Sequence, residues 1–338
     1  MITNSTEQQQ PPKAAPTIRR GMRLDWREAA GLLGIYIILL VALSILSPYF
    51  LGVNNFLNIL VAVSTIGIMS VAMTMVIVSG GIDLSIGSVV AIAGVIVAQF
   101  SQSLPMPIVI LLALLVGALI GAINGLAVTR LNINPLIATL GMMSIVRGLA
   151  FVYSGGLTRD IFSEGFAFLG QGYVLGIPFQ VIVMIILFLL TAWVLRQTTF
   201  GRSIYAIGGN AQASRLAGMP VRRVQMSVYI LSGLSAALGG VFLASQLSAG
   251  APAAATGIEL SVIAAVILGG SSLSGGKGSI WGTLLGVLIL GTLNNGLTLL
   301  NVSSYYQDVA RGLVLLLAVG IDQMRLRLTI PNRTQKER

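Results

Sequence analysis

Apolar runs about twenty residues long, separated by short polar or glycine-rich turns, repeat along most of the chain. They fall at approximately 29–47, 56–79, 84–100, 106–129, 133–153, 179–195, 224–247, 257–270, 280–300 and 307–321. A hydrocarbon core ~30 Å thick takes about 20 helical residues to cross, so the pattern predicts an all-α integral membrane protein with about ten transmembrane helices. The third and eighth runs are short or glycine-rich. They are expected to be broken or re-entrant helices, which a membrane tolerates only where protein or a cavity covers the freed backbone.

Three stretches depart from this pattern. Residues 1–28, with Gln8 to Gln10 followed by Pro11 and Pro12, read as a disordered cytoplasmic arm ahead of a membrane domain at 29–323. The basic end of the arm runs into a full-length apolar segment with no small-residue cleavage pattern, so the arm is expected to stay attached. Residues 324–338 form a basic tail. Between the fifth and sixth runs, 154–178 reads as an outer cap, a docking surface for a periplasmic partner, or a plain surface loop. Between the sixth and seventh, 196–223 is polar and dotted with arginines, and in a chain so poor in charge it is the best candidate for contact with a soluble partner.

Composition removes whole classes of chemistry. Hydrophobic residues make up 55% of the 338 residues and charged residues 9%, too little polar surface for a fold surrounded by water. With no Cys and no His there is no disulfide, thiolate nucleophile, imidazole base or imidazole metal ligand, so an enzyme is not expected. The net charge of +10 follows from topology. Threading ten crossings with the N-terminus inside puts Arg130, Arg196, Arg202, Arg215, Arg222, Arg223, Lys277 and both basic ends in the cytoplasm. Arg159 alone falls in an outer loop, and Arg147 and Arg311 fall within crossings. Positive-inside insertion produces that bias, with both termini inside, and it needs no nucleic-acid partner.

Weak internal symmetry accompanies the pattern. Gly121 precedes Asn124, Gly125 and Leu126 in the fourth run, and Gly291 precedes Asn294, Asn295, Gly296 and Leu297 in the ninth. Five crossings apart means opposite orientation, as in an inverted-topology repeat; chance similarity between glycine-rich segments is the competing reading. The GGSSLSGGKG turn from Gly269 superficially resembles a phosphate-binding loop. However, five residues separate Gly270 from Gly276 and Gly278 follows Lys277, so the required spacing fails.

Blocks in a fixed order carry a family resemblance: GGIDLSIGS from Gly80, NPLIATLGMMSIVRGLAFVYSGG from Asn134, GRSIYAIGGNAQASRLAGM from Gly201, AAVILGGSSLSGGKGSIWGTLLG from Ala264 and LNNGLTLLNVSSYYQ from Leu293. Together they resemble the permease subunit of ribose-type ABC sugar importers over nearly all the chain beyond the arm. The resemblance implies a multi-pass protein of the bacterial inner membrane that imports a monosaccharide, most often ribose or another pentose. It implies a cytoplasmic ABC ATPase that binds ATP and magnesium, so that no cofactor resides in this chain, and a periplasmic sugar-binding protein. It also implies a second permease copy, identical or a close paralogue, alongside membrane lipid. Within 196–223, the ATPase-coupling element of such importers would correspond to Gly209, Asn210, Ala213, Arg215, Ala217 and Gly218. Here Gly208 and Gly209 permit a turn, Asn210 caps a short helix, and Gly218 ends it before Pro220.

The translocation path is less legible. Polar side chains within crossings are costly unless they face a cavity or a neighbouring helix, which makes Asn124, Arg147, Asn294, Asn295, Asp308 and Arg311 the path candidates, with Ser144 and Gln307 beside them. Asp308 and Arg311 stand three apart and can neutralise each other, yet Asp308 is also the candidate partner for Arg147 across the bundle. Asp83 reads as an acceptor capping the next helix, with a proton relay as the alternative; Glu259 is open to the same two readings. A branched-chain amino acid permease and an ATP-independent transporter or channel are the competing functions. The scarcity of membrane carboxylates weighs against the latter, and the amides and hydroxyls of Asn294, Asn295, Ser303, Ser304, Tyr305 and Tyr306 favour a neutral sugar over a zwitterion.

Overall fold

Each apolar run contains a helix. The computed structural model describes residues 26–329, so most of the arm at 1–28 and of the tail at 324–338 lies outside the described residues. The first half comprises α1 (Trp26–Leu46), α2 (Val53–Val78), α3 (Ile86–Phe100), α4 (Met106–Thr129) and α5 (Pro135–Ser154). Next come β1 (Arg159–Asp160), α6 (Glu164–Gln171), β2 (Tyr173–Val174), β3 (Ile177–Pro178), α7 (Phe179–Gln197), α8 (Thr199–Gly209) and α9 (Ala211–Leu216). The rest is α10 (Val221–Leu247), β4 (Ala249–Gly250), α11 (Ile258–Leu268), α12 (Ile280–Leu299) and α13 (Ser304–Thr329). Six of these, α2, α4, α5, α7, α10 and α12, are long and apolar enough to cross a membrane, which establishes the all-helical membrane class.

The packing follows from small residues. α10 lies against α4, α3 and α2, and α2 against α12, α7 and α11. A Cβ at Gly233 of α10 would strike the Gly117 carbonyl of α4, and one at Gly121 would strike the Tyr229 carbonyl, so the α4 and α10 backbones touch. α3 is enclosed by this framework, with Ile86 through Ala98 all buried. Hydrogen bonds stitch the seams: Ser88 Oγ donates to the Met143 carbonyl at 2.8 Å, and the Thr74 and Thr283 hydroxyls share a bond of 2.9 Å. By contrast α5 leaves most of its surface open, with Ile145 and Val152 bare. Such an apolar belt suits lipid or a partner helix, not water.

Two breaks interrupt the helices. The first, Ser79–Ser85, separates α2 from α3. The second is longer: after β4 the chain dips beside α3, so that Gly250 lies against Gly94 while Ala255 and Glu259 reach Gly87. Seven residues of α3 at 1.5 Å each separate those two levels, a descent of about 10 Å. α11 therefore starts part-way down the bundle, and its 11 residues cover about 16 Å. The eighth run is thus a helix started late by a segment, 251–257, that re-enters the bundle, whereas the third is a 15-residue helix that follows the first break.

The 154–178 stretch folds into a cap. β1 pairs antiparallel with β4, β2 with β3, and α6 seats on the end of α10, where Ser245 Oγ donates to the Phe166 carbonyl and accepts from Gly170 N. Gln171 Nε2 adds bonds to the Ser245 and Gln246 carbonyls and Ser248 Oγ.

Candidate translocation and coupling sites

At the opposite end of the bundle from α6, the short helix α9 stands clear of the surface. Asn210 supplies the start, its Oδ1 accepting from Ala213 N at 2.8 Å. Gly218, at φ +78°, supplies the stop: Met219 N donates to the Ser214 carbonyl and Gly218 N to the Arg215 carbonyl, a Schellman ending. Ala213, Arg215 and Ala217 are exposed, and Leu216 is 84% exposed, an apolar side chain presented outward.

The sequence pattern misses what precedes α9. Gly208 and Gly209 make no turn; they end α8, an amphipathic helix whose Ile204, Tyr205 and Ile207 are buried. The glycine at 208 serves close approach, because a Cβ there would collide with the Val78 carbonyl at the end of α2. That carbonyl accepts from Gly276 N at 2.8 Å, and Tyr205 Oη donates to the Gly278 carbonyl at 3.0 Å. Burial pushes the Tyr205 phenol up to about 12, so the hydroxyl keeps its proton at neutral pH. The glycine turn at 269–279, already excluded as a phosphate loop, is thus a clasp joining α8 to α2. Paired glycines in three separate places, at Gly80, Gly208 and Gly275, are the signal that could have revealed it.

One turn deeper lies Asp83, buried in the first break. Its Oδ1 accepts from Ser85 N at 3.0 Å and Ser85 Oγ at 2.6 Å, and its Oδ2 from Ser232 Oγ of α10 at 2.7 Å. Asn124 Nδ2 of α4 donates to Ser85 Oγ at 2.8 Å and reaches Asp83 Oδ1 at 3.4 Å. The start of α3, α4 and α10 thus converge on one carboxylate, which fastens them together. Ser232 is the member that sequence alone does not single out.

The remaining path candidates separate into three places. Arg147 Nη1 donates to the Pro252 and Ala254 carbonyls, both at 2.8 Å, and so holds the re-entrant segment to α5. The expected Arg147 to Asp308 pairing is therefore corrected: Asp308 bonds Arg311 on its own helix at 3.2 Å, and freed backbone carbonyls claim the guanidinium of Arg147 instead. Asn295 Nδ2 of α12 donates to Asn55 Oδ1 of α2 at 2.8 Å, and Asn294 beside it is half-buried. The acceptor oxygens of Asn124 and Asn295 are both buried without a partner. Among the described residues no cluster of acidic, Cys or His side chains is arranged to hold a metal.

A family profile described as the permease component of branched-chain amino acid transport systems matches residues 55–319. The chain belongs to this permease family. The permease is 47% identical to the ribose import permease protein RbsC of Bacillus subtilis, over 87% of this chain and 92% of that one. It is 46% identical to the protein of the same name from Haemophilus influenzae, over 85% and 90%. The L-arabinose ABC transporter permease protein AraH of Azospirillum brasilense is 41% identical over 92% of each chain. No solved structure matches the permease.

Proposed function

We propose that this chain is the membrane-spanning subunit of an ATP-driven importer that moves a monosaccharide, ribose or another pentose, into the cytoplasm. It is a transport component and not an enzyme. The observation that carries the reading is the 46–47% identity to ribose import permeases along nearly the full length of both chains. The family description favours a second reading, a branched-chain amino acid permease. The polar fittings argue for the sugar: among the described residues the buried polar side chains are hydroxyls and amides except for Asp83, and the buried acceptor oxygens of Asn124 and Asn295 suit hydroxyl donors.

In this reading α9 is the coupling element, seated in a cytoplasmic ATPase through Gly209, Asn210, Ala213, Arg215, Ala217 and Gly218. The route inward is physical: α9 continues into α8, α8 is clasped to Val78 and Gly278, and the same end of α2 leads into the break held by Asp83. Asn124, Arg147, Asn294, Asn295, Asp308 and Arg311 are proposed to border or brace the path. A periplasmic sugar-binding protein delivers the solute, a second permease copy covers part of the exposed apolar belt and lipid the rest, and Arg222 and Arg223 meet headgroups or acidic groups of the ATPase.

Ten crossings with both termini in the cytoplasm are proposed for 29–323, flanked by the arm and the tail, in an inner membrane. An inverted repeat is supported by packing: α3 contacts α4 and α5 as α11 contacts α12 and α13, and each follows a break. Proteoliposomes holding the permease, its ATPase and its binding protein should take up labelled ribose only with ATP on the ATPase side. Uptake by the permease alone, or uptake of leucine in place of any sugar, would refute the proposal.

A further inference from the structure

Where the α6 cap meets the end of α3, a cavity of about 320 Å³ is lined by Ala98, Gln99, Gln102, Arg159, Asp160 and Phe162. We infer that this cavity is a carbohydrate-binding vestibule, which holds one monosaccharide at the mouth of the re-entrant segment before the sugar moves into the bundle. The inference rests on the sugar-permease reading and adds a site within it.

Size sets the first limit. Small-molecule sites span roughly 300–1,000 Å³, so this cavity suits a single sugar ring and not a peptide. Chemistry sets the second. Two carboxamides, a guanidinium and a carboxylate offer both donors and acceptors, as a polyhydroxylated ring requires. Among the described residues the side chains of Gln99, Gln102, Arg159 and Asp160 make no hydrogen bond or ion pair with other protein groups. Gln99 Oε1 is itself buried with no partner, an arrangement that favours an incoming hydroxyl. Arg159 and Asp160 cancel in charge, so a neutral ligand leaves no charge uncompensated. Ala98 and the exposed ring of Phe162 can cover the C–H side of a sugar.

Position gives the site its role. β1 pairs Arg159 with Gly250 and Asp160 with Ala249, and Gly250 packs on Gly94 of α3. The next residue, Ala251, begins the descent held by Arg147. One wall of the cavity is therefore continuous with the segment that dips into the bundle, and a sugar released there lies at its entrance.

The test uses the full-length permease in lipid nanodiscs, without ATPase or binding protein, titrated with D-ribose and L-arabinose by saturation-transfer-difference NMR. Saturable millimolar binding is expected, weakened about tenfold by Gln99→Leu and by Asp160→Ala, the equivalent of roughly one hydrogen bond. Asp160 is exposed, so its variant tests the site even if Gln99→Leu impairs folding. Absence of saturable binding while the complete system still imports sugar would overturn the vestibule and leave the function standing. Failure of the complete system to import any sugar would instead refute the underlying function. Unchanged sugar affinity in both variants, with weakened capture of the binding protein, would make the cavity a docking surface and overturn the inference. Competition by L-leucine equal to that by ribose would overturn it as well.

Discussion

The hydroxyl of Tyr205 donates to the carbonyl of Gly278, 73 residues later in the chain, at 3.0 Å. This bond and the approach of Gly208 to Val78 make α8 one body with the turn before α12 and the end of α2. In the proposed coupling route, movement of α8 would therefore reach both.

Tyr205→Phe removes only the donor. A net loss of about 0.5–1.5 kcal/mol in stability is expected, so the protein should fold and still bind its ATPase. Sugar uptake per ATP hydrolysed should fall, which parallel uptake and phosphate-release measurements on the same proteoliposomes would reveal. An unchanged ratio would count against the clasp as a transmission element.

Leu216→Asp on α9 should leave thermal stability in detergent unchanged, because the side chain lies almost wholly outside the fold. Co-purification with the ATPase should be lost. Retained co-purification would remove α9 from the interface.

Gly208→Ala places a methyl against the Val78 carbonyl, with no flexible side chain to give way. Overpacking of this kind costs about 1–3 kcal/mol, so the melting temperature should drop measurably, whereas Gly209→Ala, with open space around its Cβ, should have little effect.

Asp83→Asn keeps one acceptor oxygen at the junction of α3, α4 and α10, whereas Asp83→Leu keeps none. The asparagine variant should retain substantial uptake with no dependence on a proton gradient. The leucine variant should lose about 2 kcal/mol or more of stability. Collapse of uptake in the asparagine variant, with folding intact, would restore the relay reading.

Arg147→Ala frees two carbonyls of the re-entrant segment and should impair uptake. Because Asp308 is not its partner, the stability effects of Arg147→Ala and Asp308→Ala should add to within about 0.5 kcal/mol in a double-mutant cycle. A larger coupling energy would show that the two residues interact.

The helices were legible because hydropathy alone dictates them: the fourth run coincides with α4 residue for residue, and Asn210 with Gly218 bounded α9 through local capping rules. Tertiary choices were not legible in the same way. Nothing local tells Arg147 to prefer Pro252 and Ala254 over Asp308, since that depends on how far the second break descends. Nor does a glycine pair declare whether it turns the chain, as expected of Gly208, or admits another backbone. Asn124 illustrates the middle case: its burial followed from its place in an apolar run, but its companions Ser85 and Ser232 lie on other elements, and only the packing of α4 on α10 brings them together.

The descent of residues 251–257 carries peptide groups to a depth where oil offers them nothing, and Arg147 satisfies only two of the carbonyls. The carbonyls of Ala251, Ala253, Ala255 and Gly257 accept from Ala254 N, Thr256 Oγ1, Ile258 N and Leu260 N, so most of the dip is hydrogen-bonded within the protein. Loss of Arg147 would therefore undo the dip at two peptide groups only, those of Pro252 and Ala254.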